Sequence, residues 1–528
     1  MVNAQSFHVK SFGQFQVAIG GISDDYAWSI KQTGDGGYAV AGYTNSFGAG
    51  SNDFYFVKLD YNGTIQWSRT FGGTGNDIAL SMKLTTDGGY VISGETETYG
   101  AGGNDAIFVK IDYNGTLQWK RTIGGLYEDY GECIILTNDG GYAVGGYTAS
   151  FGVGDFDMYI VKLDSGGALQ WMKTIGGPGY DYALSIIQTP DGGYALFGST
   201  SSFGAGYNDF YIAKLDSSGL LQWTKTVGGT GGDYGAFIIQ TSGGGYAVAG
   251  TTISFGAGNY DMYAVKLDGT GSLQWSRIIG GINFEYVYSI IQTNDGGYAL
   301  TGSSASFGAG GYDAYIVKLD SSGMIQWNRT FGGPFDDEAN SIIQTLDGGF
   351  AVSGRTQSFG AGYYDMYIVK LDSSGNTCGN TSSPSPVSGT GGTLGSPTST
   401  ATSPTPTVTS PSLLTGTSGT LTTICLLGIQ PVSNEIPNSY KLYQNYPNPF
   451  NPVTKILFAI SVRDAYMRPV QIKVYDILGC EVAILVNEQL SPGTYEVEWN
   501  AANYPSGIYF YKLTSPDYSE TKKMVLNK

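Results

Sequence analysis

A strict 52-residue period runs through the first 373 residues. Aligned on a D-G-G-[YF] turn, Asp35, Asp87, Asp139, Asp191, Gly243, Asp295 and Asp347 occupy one position, and the register never slips. A chain that repeats at this length is built from one supersecondary unit used many times, because a single unit cannot bury its own apolar faces. Residues 183 to 227 show what the unit holds: ALSIIQT, YALFGST, DFYIAKLD and LLQWTKTV. These are strand-length runs rich in Tyr, Ile, Val and Thr. They are bounded by DGG, SFGAG, SSG and GG, which supply turn-forming and positive-φ positions. No 3.6-residue periodicity crosses a unit, so a helical solenoid is not expected. Four short antiparallel strands per unit predict an all-β chain whose first part is a seven-bladed β-propeller.

The ends of the array predict that the ring closes. Unit seven reads FAVSGRT and MYIVKLDSSG, then NTCGN, and so lacks the strand that the other units mark with Trp67, Trp119, Trp171, Trp223, Trp275 and Trp327. Residues 13 to 21, GQFQVAIGG, resemble GTIQWSRTFGG at 63 to 73, with Val17 placed at the Trp position and two residues deleted. The N-terminal strand is therefore expected to complete the last blade and remove both open sheet edges. The Trp column is expected to pack between blades. The basic residue two positions later (Arg69, Arg121, Lys173, Lys225, Arg277, Arg329) should pair with the Asp ending each third strand, such as Asp60, with Lys58 and its repeats in the same charge ladder.

Charge and cysteine content narrow the function. With 27 basic against 44 acidic residues the net charge is −17, which leaves no basic stripe for phosphates and argues against a nucleic-acid partner. The 81 glycines belong to turns repeated in register and do not signal disorder. Cysteines at 133, 378, 425 and 480 have no C-x-x-C spacing, so neither a metal site nor a disulfide framework follows. Cys133 stands in the column that Ser29, Ser81, Ser185, Ser289 and Ser341 hold in other units and reads as a buried thiol. No apolar run reaches 18 residues, so no spanning helix is expected. The start, MVNAQSFHVKSFGQF, has no apolar h-region, which sets the expectation of a start that falls short of any export leader.

Composition divides the chain into three parts. Residues 1–375 hold the repeats. Residues 376–435 turn to Ser, Thr, Pro and Gly, read as a partly extended linker that buries too little to order itself, with LTTICLLGI at 421 to 429 as a docking run or a first strand. Residues 436–528 alternate differently, in ILFAI, VQIKVYDI, EVAILV, GTYEVEW, GIYFYKL and KKMVLNK, and predict a small β-sandwich.

Within this last part Pro447, Asn448, Pro449, Phe450, Asn451 and Pro452, then VYDILG at 474 to 479, Trp499-Asn500, PSGIYFYKL with Gly507, and Lys522 and Lys523 follow in order. They resemble the C-terminal sorting domain of type IX secretion substrates. That resemblance implies an immunoglobulin-like sandwich, export across the outer membrane of Bacteroidota-type bacteria, the type IX machinery as partner, and a secreted or cell-surface location. The 52-residue unit is similar to the bacterial seven-bladed β-propeller repeat, which implies a fold and no particular activity.

Two acidic columns are the candidate binding residues. One follows each unit junction: Asp25, Asp77, Asp129, Asp181, Asp233, Glu285 and Asp337. The other follows the S-F-G-A-G loop: Asp53, Asp105, Asp157, Asp209, Asp261, Asp313 and Asp365. Both should ring one face. There they could bind calcium, a polysaccharide or a basic partner, or each could accept hydrogen bonds within its own turn. Sevenfold regularity favours turn capping, since a catalytic site uses different residues in different roles. The single histidine, His8, precedes the repeats, which excludes His-based triads and two-His zinc sites. No residue is assigned as catalytic and no cofactor is assigned beyond possible calcium. Carboxylate-only glycoside hydrolysis stays open, with Glu128, Glu132, Glu285, Asp336 and Glu338 as departures from the repeat. The favoured reading is a surface binding module for an unknown extracellular polysaccharide or protein. A carbohydrate-active enzyme and a structural surface component are the alternatives.

Overall fold

The computed structural model describes residues 13–378, short strands between 381 and 433, and most of residues 437–527. His8 lies outside the described residues. Every described element is a strand. The chain forms two compact units, one over Phe15–Cys425 and one containing Leu426–Lys528.

The first unit consists of seven four-stranded antiparallel sheets. Sheet 1 uses Asp25–Gln32, Tyr38–Thr44, Asp53–Leu59 and Ile65–Gly72, and sheets 2 to 6 repeat it at 52-residue steps. The third strand, DFYFVKL, is buried along its whole length, because its sheet is covered on both faces and alternation then disappears. Apolar clusters accordingly lie between neighbouring sheets: Ala39, Ala41, Phe54 and Phe56 of sheet 1 pack against Met82, Ile92, Ile107 and Val109 of sheet 2.

One backbone hydrogen bond recurs at every junction. Asp77 N donates to Asn52 O at 2.7 Å, and the equivalent bonds start from Asp129, Asp181, Asp233, Glu285 and Asp337. The seventh is Asp25 N to Tyr364 O, 2.7 Å, between sheet 1 and sheet 7. The outer strand of sheet 7 is the N-terminal Gln14–Gly20, paired with Asp365–Leu371. Its register corrects the alignment above. Phe15 lies opposite Lys370 as Trp67 lies opposite Lys58, so Phe15 and not Val17 holds the Trp position, and no deletion is needed.

That aromatic position sits on the turn of the next unit. A Cβ on Gly115 would meet the Trp67 ring at 2.7 Å, and Gly63 stands in the same relation to Phe15 at 2.8 Å. Both glycines have φ near +80°, so the turn needs glycine for its backbone and for its neighbour. The expected charge ladder is built differently. Arg69 lies 5.3 Å over the Trp67 ring and donates to Ser68 O and Asn114 O, because the neighbouring turn offers carbonyls at that edge. Asp60 instead caps its own turn through Asn62 N and Thr64 N. Lys58 pairs with Asp35 of the D-G-G turn at 2.9 Å.

The stretch expected to run as a free linker carries short strands on the outer sheet edges. Thr381 lies opposite Phe331, Ser388 opposite Ile279, Leu394 opposite Val227, Ala401 opposite Ile175, Val408 opposite Ile123 and Thr415 opposite Phe71. The partners form one column at 52-residue spacing, so the segment steps back from sheet 6 to sheet 1, one sheet every six or seven residues. Thr420–Leu427 then lies beside Gln14–Gly20 on sheet 7. Edge strands offer unpaired N–H and C=O groups regardless of sequence, which is how so polar a segment can be held. Cys378 is disulfide-bonded, a bond that cysteine spacing did not suggest.

The second unit holds two four-stranded sheets. They share one core that includes Ile456, Phe458, Val474, Trp499, Tyr511 and Leu513.

Deleting residues 1–21 removes buried Phe15, Val17 and Ile19 and reopens the edge of sheet 7. The unfolding midpoint of the first unit is expected to fall by about 10 °C or more in calorimetry. An unchanged midpoint would refute the closing role of this strand.

Candidate functional site

The two acidic columns do not form an exposed ring. All fourteen carboxylate side chains belong to residues no more than 2% exposed. Each carboxylate of the first column closes a junction: Asp77 accepts from Gly73 N and from Thr98 Oγ1, both at 2.8 Å, and from Thr96 Oγ1. Glu285 does the same with Gly281 N at 2.6 Å and Ser304 Oγ at 2.9 Å. Each carboxylate of the second column closes the S-F-G-A-G loop, as Asp105 does by accepting from Ala101 N at 2.8 Å. The columns meet in pairs across neighbouring sheets, such as Asp53 with Asp77 and Asp365 with Asp25. Gly72 lies between Asp53 and Asp77, where a Cβ would collide with the Asp53 carboxylate. Among the described residues no group of three or more His, Cys, Asp or Glu side chains is arranged to hold a metal ion.

Burial first, then the charge of the paired carboxylate, pushes Asp105 and Asp157 up to about 6. Asp25, Asp261 and Asp313 also reach about 6, chiefly through burial. Asp87, Asp139, Asp191 and Asp295 of the D-G-G turns behave oppositely. Burial acts against Asp87, yet hydrogen bonds from Thr85 and Lys110 hold it at about 2.

A cavity of about 350 Å³ is lined by the first strands of all seven sheets. Each first strand carries a β-bulge, between Ala27 and Ser29 in sheet 1, between Ala339 and Ser341 in sheet 7, and widened to Tyr130–Cys133 in sheet 3. The bulged residues are Trp28, Leu80, Glu132, Leu184, Ala236, Tyr288 and Asn340, and every one of them lines the cavity. A bulge leaves one residue out of the ladder and re-aims its side chain. Two residues beyond the serine column, five units have isoleucine (135, 187, 239, 291, 343) and two adjacent units have Lys31 and Lys83, both in the cavity wall. Burial and then the Lys83 charge bring Lys31 down to about 7. Glu132 is pushed up to about 8, first by burial and then by Glu95, against a hydrogen bond from Tyr147. Glu95 itself is raised to about 7 by burial and by Glu97. Cys133 is a free buried thiol in the same wall, 3.9 Å from Ser81 Oγ.

Aromatic rings gather toward the junction end of the first strands. Tyr26 stacks on Tyr43 at 4.7 Å, Tyr130 on Tyr147 at 4.6 Å, and Tyr260 lies 5.4 Å from Tyr286. Where sheet 7 meets sheet 1, Arg355 sits 4.6 Å from both the Tyr26 and Tyr364 rings and pairs with Glu338 at 2.5 Å. Of the carboxylates singled out as departures from the repeat, only Glu132 reaches the cavity wall. Asp336 accepts from Tyr312 N at 2.9 Å. The bulge column and the lysines were not singled out from the sequence. Aligning the units shows both, since one column changes residue type in nearly every unit.

In the second unit the Pro-Asn-Pro-Phe stretch fastens the last strand. Asn448 Oδ1 accepts from Val525 N at 2.9 Å, Phe450 N donates to Val525 O at 3.0 Å, and the Phe450 ring lies 5.6 Å from Trp499. Pro447 O accepts from Thr454 Oγ1, and Pro452 O from Ala501 N. Asn451 is exposed. Gly507 opens the strand that pairs with the last one, Lys522 pairs with Glu520 at 3.1 Å, and Lys523 O accepts from Gln444.

The raised carboxylates predict a pH dependence. Below about pH 4 they are protonated in folded and unfolded chains alike and their favourable contribution is fully present; it is lost as pH rises through about 6. Asp87, Asp139, Asp191 and Asp295 act in the opposite sense only below pH 4, and Lys31 only above pH 7. The melting temperature of the first unit is therefore expected to be several degrees higher at pH 5 than at pH 7, and a lower value at pH 5 would contradict the burial of these pairs.

Comparison with known proteins places this chain beside several others. The regulatory protein FlaEY of Caulobacter vibrioides is 27% identical over 199 residues, covering 34% of this chain and 19% of that protein. PorZ, described as an essential bacterial surface component of the type-IX secretion system of Porphyromonas gingivalis, aligns structurally at 13% identity with a TM-score of 0.37, over 96% of this chain and 60% of PorZ. The chain thus spans less than two thirds of either protein. A family model also matches, and it falls on the residues that fasten the last strand of the second unit: residues 444–527 match the secretion system C-terminal sorting domain.

Proposed function

We propose that the protein is an exported, surface-located binding module: a seven-bladed β-propeller delivered by a type IX sorting domain of immunoglobulin-like form. The junction bond that recurs from Asp77 round to Asp25, and the backward course of residues 381–427, support a closed ring with the cavity as its central channel. Domain limits of 1–375 for the propeller and 436–528 for the sorting domain fit this reading, with 376–435 as the linker that joins them in sequence. The secretion machinery is the partner during export, and an extracellular polysaccharide or protein is the partner afterwards.

The observation that carries the binding reading is the bulge column. Scaffold positions repeat almost unchanged, whereas the one position freed from the ladder and turned to the cavity reads Trp, Leu, Glu, Leu, Ala, Tyr and Asn. Varied side chains on a regular frame are how a scaffold acquires specificity. Trp28 and Tyr288 supply stacking surface there.

A second reading rests on Glu132. A carboxylic acid held near 8 stays protonated at neutral pH, as a general acid for glycoside hydrolysis must.

On immobilised bacterial surface polysaccharides, Trp28→Ala and Tyr288→Ala are expected to weaken retention at least about tenfold, while a substitution at exposed Ile22 leaves it unchanged. Release of reducing sugar that disappears in Glu132→Gln would replace the binding reading with the hydrolytic one. Removing residues 444–527 is expected to leave the protein inside the cell envelope, and normal export of the shortened chain would end the sorting assignment.

A further inference from the structure

Lys31 and Lys83 share a wall of the cavity and repel one another. Among the described residues neither forms an ion pair, and the one hydrogen bond at these ammonium groups is Lys31 Nζ to Ile30 O at 2.9 Å. The repeat itself offers isoleucine at this position in five units, so nothing in the fold demands a cation there. Two like charges placed together in a half-buried wall are costly unless something negative answers them. The chain's own carboxyl in that wall does not: Glu132 is hydrogen-bonded by Tyr147.

Two further polar atoms in the same wall lack partners. Trp28 Nε1, on the same strand as Lys31, is a buried donor with none. Asn340 spends its amide N–H on Ala27 O at 3.1 Å and leaves Oδ1 without a partner, on a residue only 5% exposed. Buried polar atoms are normally satisfied, and those that are not point to a missing partner. The inventory is two ammonium groups and an indole N–H, which suit an oxyanion, beside one carbonyl acceptor, which suits a hydroxyl.

We infer that the cavity holds an acidic sugar residue, its carboxylate on Lys31 and Lys83, its ring against Trp28 and a hydroxyl donating to Asn340 Oδ1. This rests on the binding reading above and names its ligand class. A cavity of about 350 Å³ accommodates a single sugar residue, and acidic sugars occur as units of the polysaccharides that an exported protein meets. An acidic ligand also explains why the lysines stand inside a chain of net charge −17: the surrounding surface repels anions, so only an anion with its own fitted site is retained.

The test uses the full chain and calorimetric titration with glucuronate, glucose and inorganic phosphate. Lys31→Ile and Lys83→Ile install the residue that the repeat uses elsewhere, so folding is expected to survive, and the melting temperature checks that it does. The expected result is glucuronate binding that falls at least about tenfold in each variant and weakens with added salt, with no measurable binding of glucose. Glucuronate binding undiminished in the folded variants, glucose binding of equal strength, or tighter binding of phosphate than of glucuronate would each overturn the assignment. If Trp28→Ala abolishes polysaccharide retention while glucuronate fails to bind, the binding reading stands and the acidic-sugar inference falls.

Discussion

The contact on which the first unit depends is the junction between consecutive sheets. A buried carboxylate from one sheet and another from the next flank a glycine, while the backbone N–H of the second donates across the gap, as at Asp53, Gly72 and Asp77. Every other regularity follows from this geometry. The first glycine of each G-G pair is required because a Cβ would occupy the carboxylate's place. The Thr and Ser ending the second strand are required because they donate to it. The angle between sheets is set by a bond that cannot lengthen without stranding a buried amide.

This arrangement is not the most stable one available. Two carboxylates removed from water and set beside each other oppose folding at neutral pH, which is why several are raised toward 6. Amide and hydroxyl donors offset part of that opposition. What the pair provides is uniqueness: a loop of small residues such as SFGAG has many conformations of similar energy, and an acceptor fixed at its centre selects one. Apolar packing between sheets, as in the Phe54 to Ile107 cluster, then supplies stabilisation without having to supply direction.

Much of the first unit was legible because its signals are local and written seven times. Strand runs, turn glycines and the N-terminal closing strand all follow from period and alternation, and turn capping by the acidic columns was among the alternatives the sequence left open. Errors came where identity was mistaken for position. Val17 was placed by a resemblance that allowed a gap, whereas strict 52-residue spacing selects Phe15, whose ring does what Trp67 does on the next turn. Pairing Arg69 with Asp60 at the end of the third strand follows charge alone, yet a guanidinium beside a row of turn carbonyls has acceptors without an acid. The belt at 381–427 was illegible for a deeper reason. Its pairing is with backbone, and backbone pairing leaves no mark on side-chain composition. The cavity is illegible in what the repeat columns share, because its wall is the place where they differ.

That difference has a structural cause. In a blade-like strand nearly every side chain is pressed between sheets, and the uniform runs of buried residues in the third strands show how little freedom remains. At the bulge the ladder skips a residue, so its side chain is released from cross-strand register and turned toward the cavity. A tryptophan, an alanine and an asparagine can then occupy equivalent places without disturbing the frame. The lysines reach the same cavity from paired ladder positions, Lys31 opposite Ala39 and Lys83 opposite Val91, where isoleucine otherwise suffices. Regular and irregular columns are therefore parts of one solution: the junction carboxylates make seven copies rigid enough that the residues facing inward need not be copies at all.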